Sequence, residues 1–208
     1  MFGFLAGHNR GHVMEDRWKF RLLIAVVVIC PVFIFAASRW TEAWHLAIQA
    51  IGIFLIVVSI IGRTWCSFFI GGRKSYELVN VGPYAIIRNP LYAFSTIGAI
   101  GMGAQFGAVS FALLSGAGIA FVLYRRSLHE EQGMLALHGD AYRKYMEKVP
   151  RFLPRTWTRQ IVNFGAVRSA AVVRTLADAC LFLMAIPVAQ FVHHLQQVGI
   201  LRVLVLLP

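Results

Sequence analysis

Residues 91–124 read LYAFSTIGAIGMGAQFGAVSFALLSGAGIAFVLY, a run without one charged side chain. As a single straight helix, rising 1.5 Å per residue, it would be about 50 Å long. The hydrocarbon core of a bilayer is only roughly 30 Å thick. One span is too short a reading for this run, and two ordinary spans would need slightly more chain. Two compact helices with a tight turn near Gly101, Gly103 and Gly107 fit best. Polar segments flank the run on both sides. Gly82-Pro83-Tyr84 and Arg88-Asn89-Pro90 lead to it. His129-Glu130-Glu131, Tyr142, Tyr145 and Val149-Pro150-Arg151 follow it. A hairpin returns both segments to one side of the membrane, where they can form one site at its surface.

The rest of the chain agrees with a lipid setting. Its 208 residues are 58% hydrophobic and only 14% charged, with a mean hydropathy of +0.66, whereas soluble domains carry about a quarter charged residues. Three further apolar regions stand out. Residues 22–37 make a short candidate span, and residues 44–62 an uncharged one. Residues 176–195 make another, with Asp178 near its start and Pro187 inside it. All but two of the 20 lysines and arginines fall on one side of the layout that these regions imply, leaving Arg39 and Arg202 on the other. Positive charge collects on the cytoplasmic side. The expectation is an all-α, polytopic membrane helix bundle of about five transmembrane helices. Its N-terminus is cytoplasmic and a helical cap follows the fourth span on the cytoplasmic side. Residues 1–62 form an N-terminal helical hairpin, 63–154 a core carrying the site, and 155–208 an extension with the fifth helix. Length and the lack of a eukaryotic retention signal point to a prokaryotic inner membrane, with an uncleaved first helix.

Several classes fall away. The net charge of +11 flanks the spans, where it sets orientation and attracts anionic lipid, so no nucleic-acid partner is expected. Cys30, Cys66 and Cys180 are scattered in or beside apolar runs, without the spacing of a disulfide framework or a zinc site. His8 and His12 are four apart but lack further ligands, and no metal is expected. His193 and His194 read as an interfacial helix end.

Local signals place the polar groups. Gly71-Gly72-Arg73-Lys74 is a turn, and residues 76–81 read as a strand or extended segment broken by Gly82-Pro83. Asn89 precedes a proline, which biases it away from helix, and Pro90 suits the first turn of the next one. Arg88 and Asn89 thus sit at a helix entrance. Residues 125–138 continue the fourth helix, Gly139 ends it, Asp140 caps the next and Pro150 stops that one. Tyr142 and Tyr145 share a helix face. Glu130 and Glu131 point about 100° apart, so one can meet a ligand while the other holds the scaffold.

Arg88 at a helix entrance favours an anionic group. Glu130 and Glu131 offer acceptors to hydroxyls or an ammonium, and the faces of Tyr84, Tyr92, Tyr142 and Tyr145 attract a cation. These residues describe a membrane-surface site without choosing its ligand. Each also has a plainer reading: an anchoring arginine, a solvated glutamate pair, an interfacial aromatic belt.

The order Gly82-Pro83-Tyr84, Arg88, Pro90, Tyr92, an apolar hairpin, Glu130-Glu131, Tyr142, Tyr145 and Val149-Pro150 resembles the membrane methyltransferases of the isoprenylcysteine carboxyl methyltransferase and phospholipid methyltransferase group. The likeness covers roughly residues 62–154. It implies S-adenosylmethionine as cofactor and a lipid or lipophilic small molecule as methyl acceptor. Carried over residue by residue, it implies a pocket of Tyr84, Arg88, Asn89, Tyr92, Glu130, Glu131, Tyr142 and Tyr145. The catalytic roles fall to Arg88, Glu130 and Glu131. Asn89 stands where the family has histidine. An amide donates and accepts hydrogen bonds but does not titrate near neutrality, so it fits cofactor binding and not proton transfer. Two other classes share these residues. Membrane sterol reductases, which use NADPH, have a similar arginine-proline-tyrosine element, although Leu91 replaces their asparagine. A non-enzymatic membrane protein on the same scaffold is the third.

Overall fold

The computed structural model describes residues 33–70, 78–154 and 169–208. The chain forms β1 (Ala36–Ser38), α1 (Glu42–Ile70), α2 (Pro83–Ile86), α3 (Pro90–Ala104), α4 (Val109–Lys148), α5 (Ser169–Cys180), a 3-10 turn (Leu181–Met184), α6 (Ala185–Gln197) and β2 (Val205–Leu207). It is mostly helical, as the apolar runs require. The candidate span up to residue 32, the turn at residues 71–74 and Arg155, Arg159 and Arg168 lie outside the described residues.

Helix α1 packs along α3 through small residues. Gly52, Ile56, Ser59, Gly62 and Cys66 are buried on one stripe of α1, the spacing of a single helix face. A Cβ added at Gly101 would stand 2.6 Å from the carbonyl oxygen of Gly52. Ser59 donates to the Phe94 carbonyl at 2.7 Å. Close approach of this kind is how helices associate where lipid removes the hydrophobic drive between them. The opposite face leaves Trp44, Phe54 and Ile61 more than half exposed, an apolar surface of the sort a bilayer covers.

The expected hairpin is present. Helices α3 and α4 are joined by residues 105–108, where Gly107 takes φ 72°, and Ser115 donates across it to the Ala99 carbonyl at 2.7 Å. Only Gly107 serves the turn. Gly101 and Gly103 are buried inside α3 and serve close packing instead. Helix α4 runs on past Tyr124 and breaks at Gly139 (φ 52°, ψ −124°). A Cβ there would meet nothing, so the backbone conformation and not space asks for glycine.

The C-terminal apolar region is one helical path with a tightened middle. Pro187 would press its ring against the carbonyl of Leu183 in a regular helix, and the chain takes the 3-10 turn Leu181–Met184 there. Arg63, expected just beyond a span, lies within the continuous α1. It donates to Ser95 and stands 5.3 Å from the centre of the Phe182 ring, tying this region to the core.

Two expectations change. The bundle is not all-α: β1 and β2 pair in parallel, with Ala36 opposite Val205. Three-residue strands carry no readable period, and only the approach of distant segments creates them. Residues 78–80, read as strand or extended, form no strand. Among the described residues, three helices are long and apolar enough to cross a membrane: Glu42–Ile70, Val109–Lys148 and Val172–Gln197. Helix α3 has 15 residues and is about 22 Å long, short of a full hydrocarbon core.

Candidate functional site

The site grows from a strained entrance to α3. Gly82 takes φ 60°, which brings its Cα against Phe69 of α1; a Cβ would stand 2.5 Å from that ring. Pro83 starts α2, and Ile87 is extended again. Arg88 sits at a bend and Asn89 (φ −125°, ψ 59°) leads to Pro90, which starts α3. Their backbone is held from far along the chain. Arg88 N–H donates to the Pro150 carbonyl at 2.8 Å, and Asn89 N–H to that of Arg151 at 3.2 Å.

The break at Gly139 turns the end of α4 back over this segment. Tyr142 and Tyr145 are buried, their ring centres 5.7 Å apart. Tyr145 donates its hydroxyl to the Tyr84 carbonyl at 2.6 Å. Burial pushes the Tyr84 phenol well above its ordinary pKa and keeps it neutral.

The two glutamates have different duties. Glu131 is 5% exposed. Arg151 donates to it twice, Nε to Oε1 at 2.9 Å and Nη2 to Oε2 at 2.8 Å. Arg88 Nη1 stands 3.3 Å from Oε2, and Asn89 Nδ2 lies 3.5 Å from Oε1. Two guanidiniums on one carboxylate leave a net positive charge. The bonds to Glu131 hold Arg151 above the usual arginine pKa. Glu130 is more open. It accepts from Tyr92 at 2.6 Å and from Arg126 Nε at 3.2 Å, while Arg126 lies over the Tyr92 ring at 6.0 Å.

All eight residues expected from the sequence line one cavity of about 610 Å³. Leu78, Val79, Leu91, Met134 and Leu137 give it apolar walls. The size and mixture suit a drug-sized ligand. Arg88 Nε and Nη1 and the Tyr84 hydroxyl are buried without a hydrogen bond among the described residues. A buried donor left unmade costs about 1–3 kcal/mol, so an acceptor in the cavity would be favoured.

Sequence reasoning missed three residues. Arg126 and Arg151 passed as membrane-flanking charge; the Val-Pro-Arg order at residues 149–151 was the available signal for the second. Thr175 of α5 also lines the cavity, which extends the site into a region outside the motif.

The phospholipid methyltransferase family model matches residues 44–141. The nickel-cobalt-cadmium resistance protein NccN of Alcaligenes xylosoxydans xylosoxydans is 30% identical over 189 residues, covering 90% of this chain and 87% of its own length. The cobalt-zinc-cadmium resistance protein CzcN of Cupriavidus metallidurans is 29% identical over 194 residues, covering 88% and 85%. No solved structure matches the chain.

Proposed function

This chain belongs to the phospholipid methyltransferase family, and we propose that it is an S-adenosylmethionine-dependent methyltransferase acting on a lipid or lipophilic acceptor at the cytoplasmic membrane surface. The observation that carries this reading is the gathering of Tyr84, Arg88, Asn89, Tyr92, Glu130, Glu131, Tyr142 and Tyr145 around one cavity, with Nε and Nη1 of Arg88 lacking a hydrogen bond among the described residues.

The residues fit the cofactor. S-adenosylmethionine carries a carboxylate, an amine, a ribose and a sulfonium, and supplies an activated methyl group when bound. Arg88 offers its Nε and Nη1 N–H groups to the carboxylate, at the side of the cavity with excess positive charge. Glu130 accepts from a hydroxyl or the amine. Tyr92 and Tyr142 present faces to a cation. Asn89 positions the entrance through its bonds to Glu131 and Arg151 and moves no proton. In-line displacement depends mainly on alignment. An acceptor that is already anionic needs no base, and Arg88 orients it. For an amine acceptor, Glu130 takes the proton. The apolar walls leave room for the acceptor's hydrocarbon part.

The finer topology belongs to the same reading: five spans, the N-terminus inside, in a prokaryotic inner membrane. So does its setting. The relatives are named for resistance to nickel, cobalt, zinc and cadmium, and we carry that setting over to this chain. A deletion that leaves growth in these metals unchanged would detach the activity from it.

Calorimetric titration of the full chain in detergent tests the reading. S-adenosylmethionine and S-adenosylhomocysteine should bind and NADPH should not. Arg88→Ala should weaken binding at least tenfold, since a charged hydrogen bond contributes about 1.5–3 kcal/mol. Asn89→His, which restores the family residue, should bind as well or better. Binding of NADPH alone would establish the reductase class instead. Folded protein that binds none of the three would make the chain a non-enzymatic member of the family.

A further inference from the structure

A second cavity, of about 210 Å³, lies at the other end of the bundle. Asn89 at the start of α3 lines the first cavity and Gln105 just past its end lines this one, so the length of α3, about 22 Å, separates them. The second cavity is lined by His45 and Gln49 of α1, Gln105 of the hairpin turn, and His193, Gln196 and Gln197 at the end of α6. Among the described residues no lysine or arginine lines it.

Its polar groups are arranged to accept. Gln49 Nε2 donates to the Gln105 carbonyl at 2.8 Å, and Gln105 Nε2 donates back to the Gln49 carbonyl at 3.2 Å. Gln196 Nε2 donates to the Ile34 carbonyl at 2.9 Å and the Ala36 carbonyl at 3.2 Å. The walls thus take up the amide N–H groups and leave the three amide oxygens without a donor among the described residues. The centres of the His45 and His193 rings are 5.3 Å apart, with their planes 32° from parallel. Two imidazoles on one tetrahedral ion, each bound at about 2.0–2.1 Å, bring their ring centres to roughly 5 Å. Gln197 Nε2 lies 3.0 Å from His193 Nε2. Glu42 lies one turn before His45 on α1.

We propose that this cavity is a divalent transition-metal site, in which His45 and His193 bind the ion and glutamine amide oxygens and water fill the remaining positions. Imidazole selects ions such as zinc, nickel or cobalt over magnesium. Among the described residues no three His, Cys, Asp or Glu side chains converge on one point, so the site is of the exchangeable and not the structural kind. It does not depend on the methyl-transfer reading. Sequence spacing could not suggest it, because the two histidines come from helices far apart in the chain.

The test is calorimetric titration of the full chain, purified without a histidine tag, with Zn²⁺ and separately with Mg²⁺. The wild type should take up Zn²⁺ and not Mg²⁺. His45→Ala and His193→Ala should each weaken Zn²⁺ at least roughly tenfold, the scale on which metal sites answer to changes around the ion. His194→Ala, outside the cavity, should bind like the wild type. Elution and melting identical to the wild type certify each variant, and the two test residues lie on different helices, so either can carry the result. Absence of Zn²⁺ binding, equal binding of Mg²⁺, or wild-type Zn²⁺ affinity in the folded variants would overturn the proposal. So would equal weakening by His194→Ala, which would mark a surface histidine pair.

Discussion

Arg151 grips Glu131 by two parallel hydrogen bonds, at 2.9 and 2.8 Å, while its own backbone carbonyl accepts from Asn89. One residue thus fixes both the carboxylate behind Arg88 and the segment that carries Arg88. We expect Arg151→Ala to lower S-adenosylhomocysteine affinity about tenfold, within the range of a charge-assisted bond. Arg151→Lys should recover only part of it, because an ammonium cannot reproduce the planar fork. Calorimetry checks both. Wild-type affinity in Arg151→Ala would mean that Arg88 needs no such support.

The neighbouring glutamates should differ in what they damage. The Glu131 side chain is 7% exposed, and the Arg88 side chain facing it 11%. Glu131→Gln removes the charge from a buried pair, a change that costs about 3–5 kcal/mol, and should lower the melting temperature as well as abolish ligand binding. Glu130 pairs with Arg126, whose side chain is 62% exposed, and pairs of that kind contribute only about 0–1 kcal/mol. Glu130→Gln should therefore weaken ligand binding with little change in melting. Equal melting of both variants would contradict this division.

Tyr145 tests the lid formed by the end of α4. Tyr145→Phe leaves the buried Tyr84 carbonyl without its partner, a loss of about 1–3 kcal/mol. The expected result is a lower melting temperature in detergent and weaker S-adenosylhomocysteine binding together. Melting like the wild type would show that the tyrosine face packs without needing its hydroxyl.

Topology can be read by labelling single cysteines in intact cells, in a background lacking Cys30, Cys66 and Cys180. Cysteines at Lys74 and Lys144 should both be protected from an impermeant reagent, and one at Arg39 should react. Labelling of Lys74 and Lys144 from opposite sides would end the proposal of a shared cytoplasmic site.

The hairpin was legible because an uncharged run of fixed length leaves few ways to fold in lipid. The gathering of the eight site residues followed from it, since the turn brings Arg88 and Glu131 to the same end. Arg151 was not legible as a partner of Glu131. A basic residue after a membrane segment looks like an anchor until its distance to a buried carboxylate is known. The β1–β2 pair was hidden for a related reason. Neither Ala36–Ser38 nor Val205–Leu207 has a pattern of its own, and each becomes a strand only beside the other. Thr175 enters the first cavity through the packing of α5, which local sequence signals do not determine.

The backbone pairing of residues 88 and 89 with 150 and 151 closes a ring around the whole α3–α4 hairpin. Neither half of that clasp has its partner until the chain has gone out along α3, returned along α4 and turned at Gly139. A chain stalled before Pro150, or with one limb of the hairpin misplaced, leaves Arg88 and Asn89 with unmet backbone donors and Glu131 without its fork. Closure of this entrance thereby needs the whole hairpin: residues 88 and 89 are made early and clasped only after residues 150 and 151 have followed.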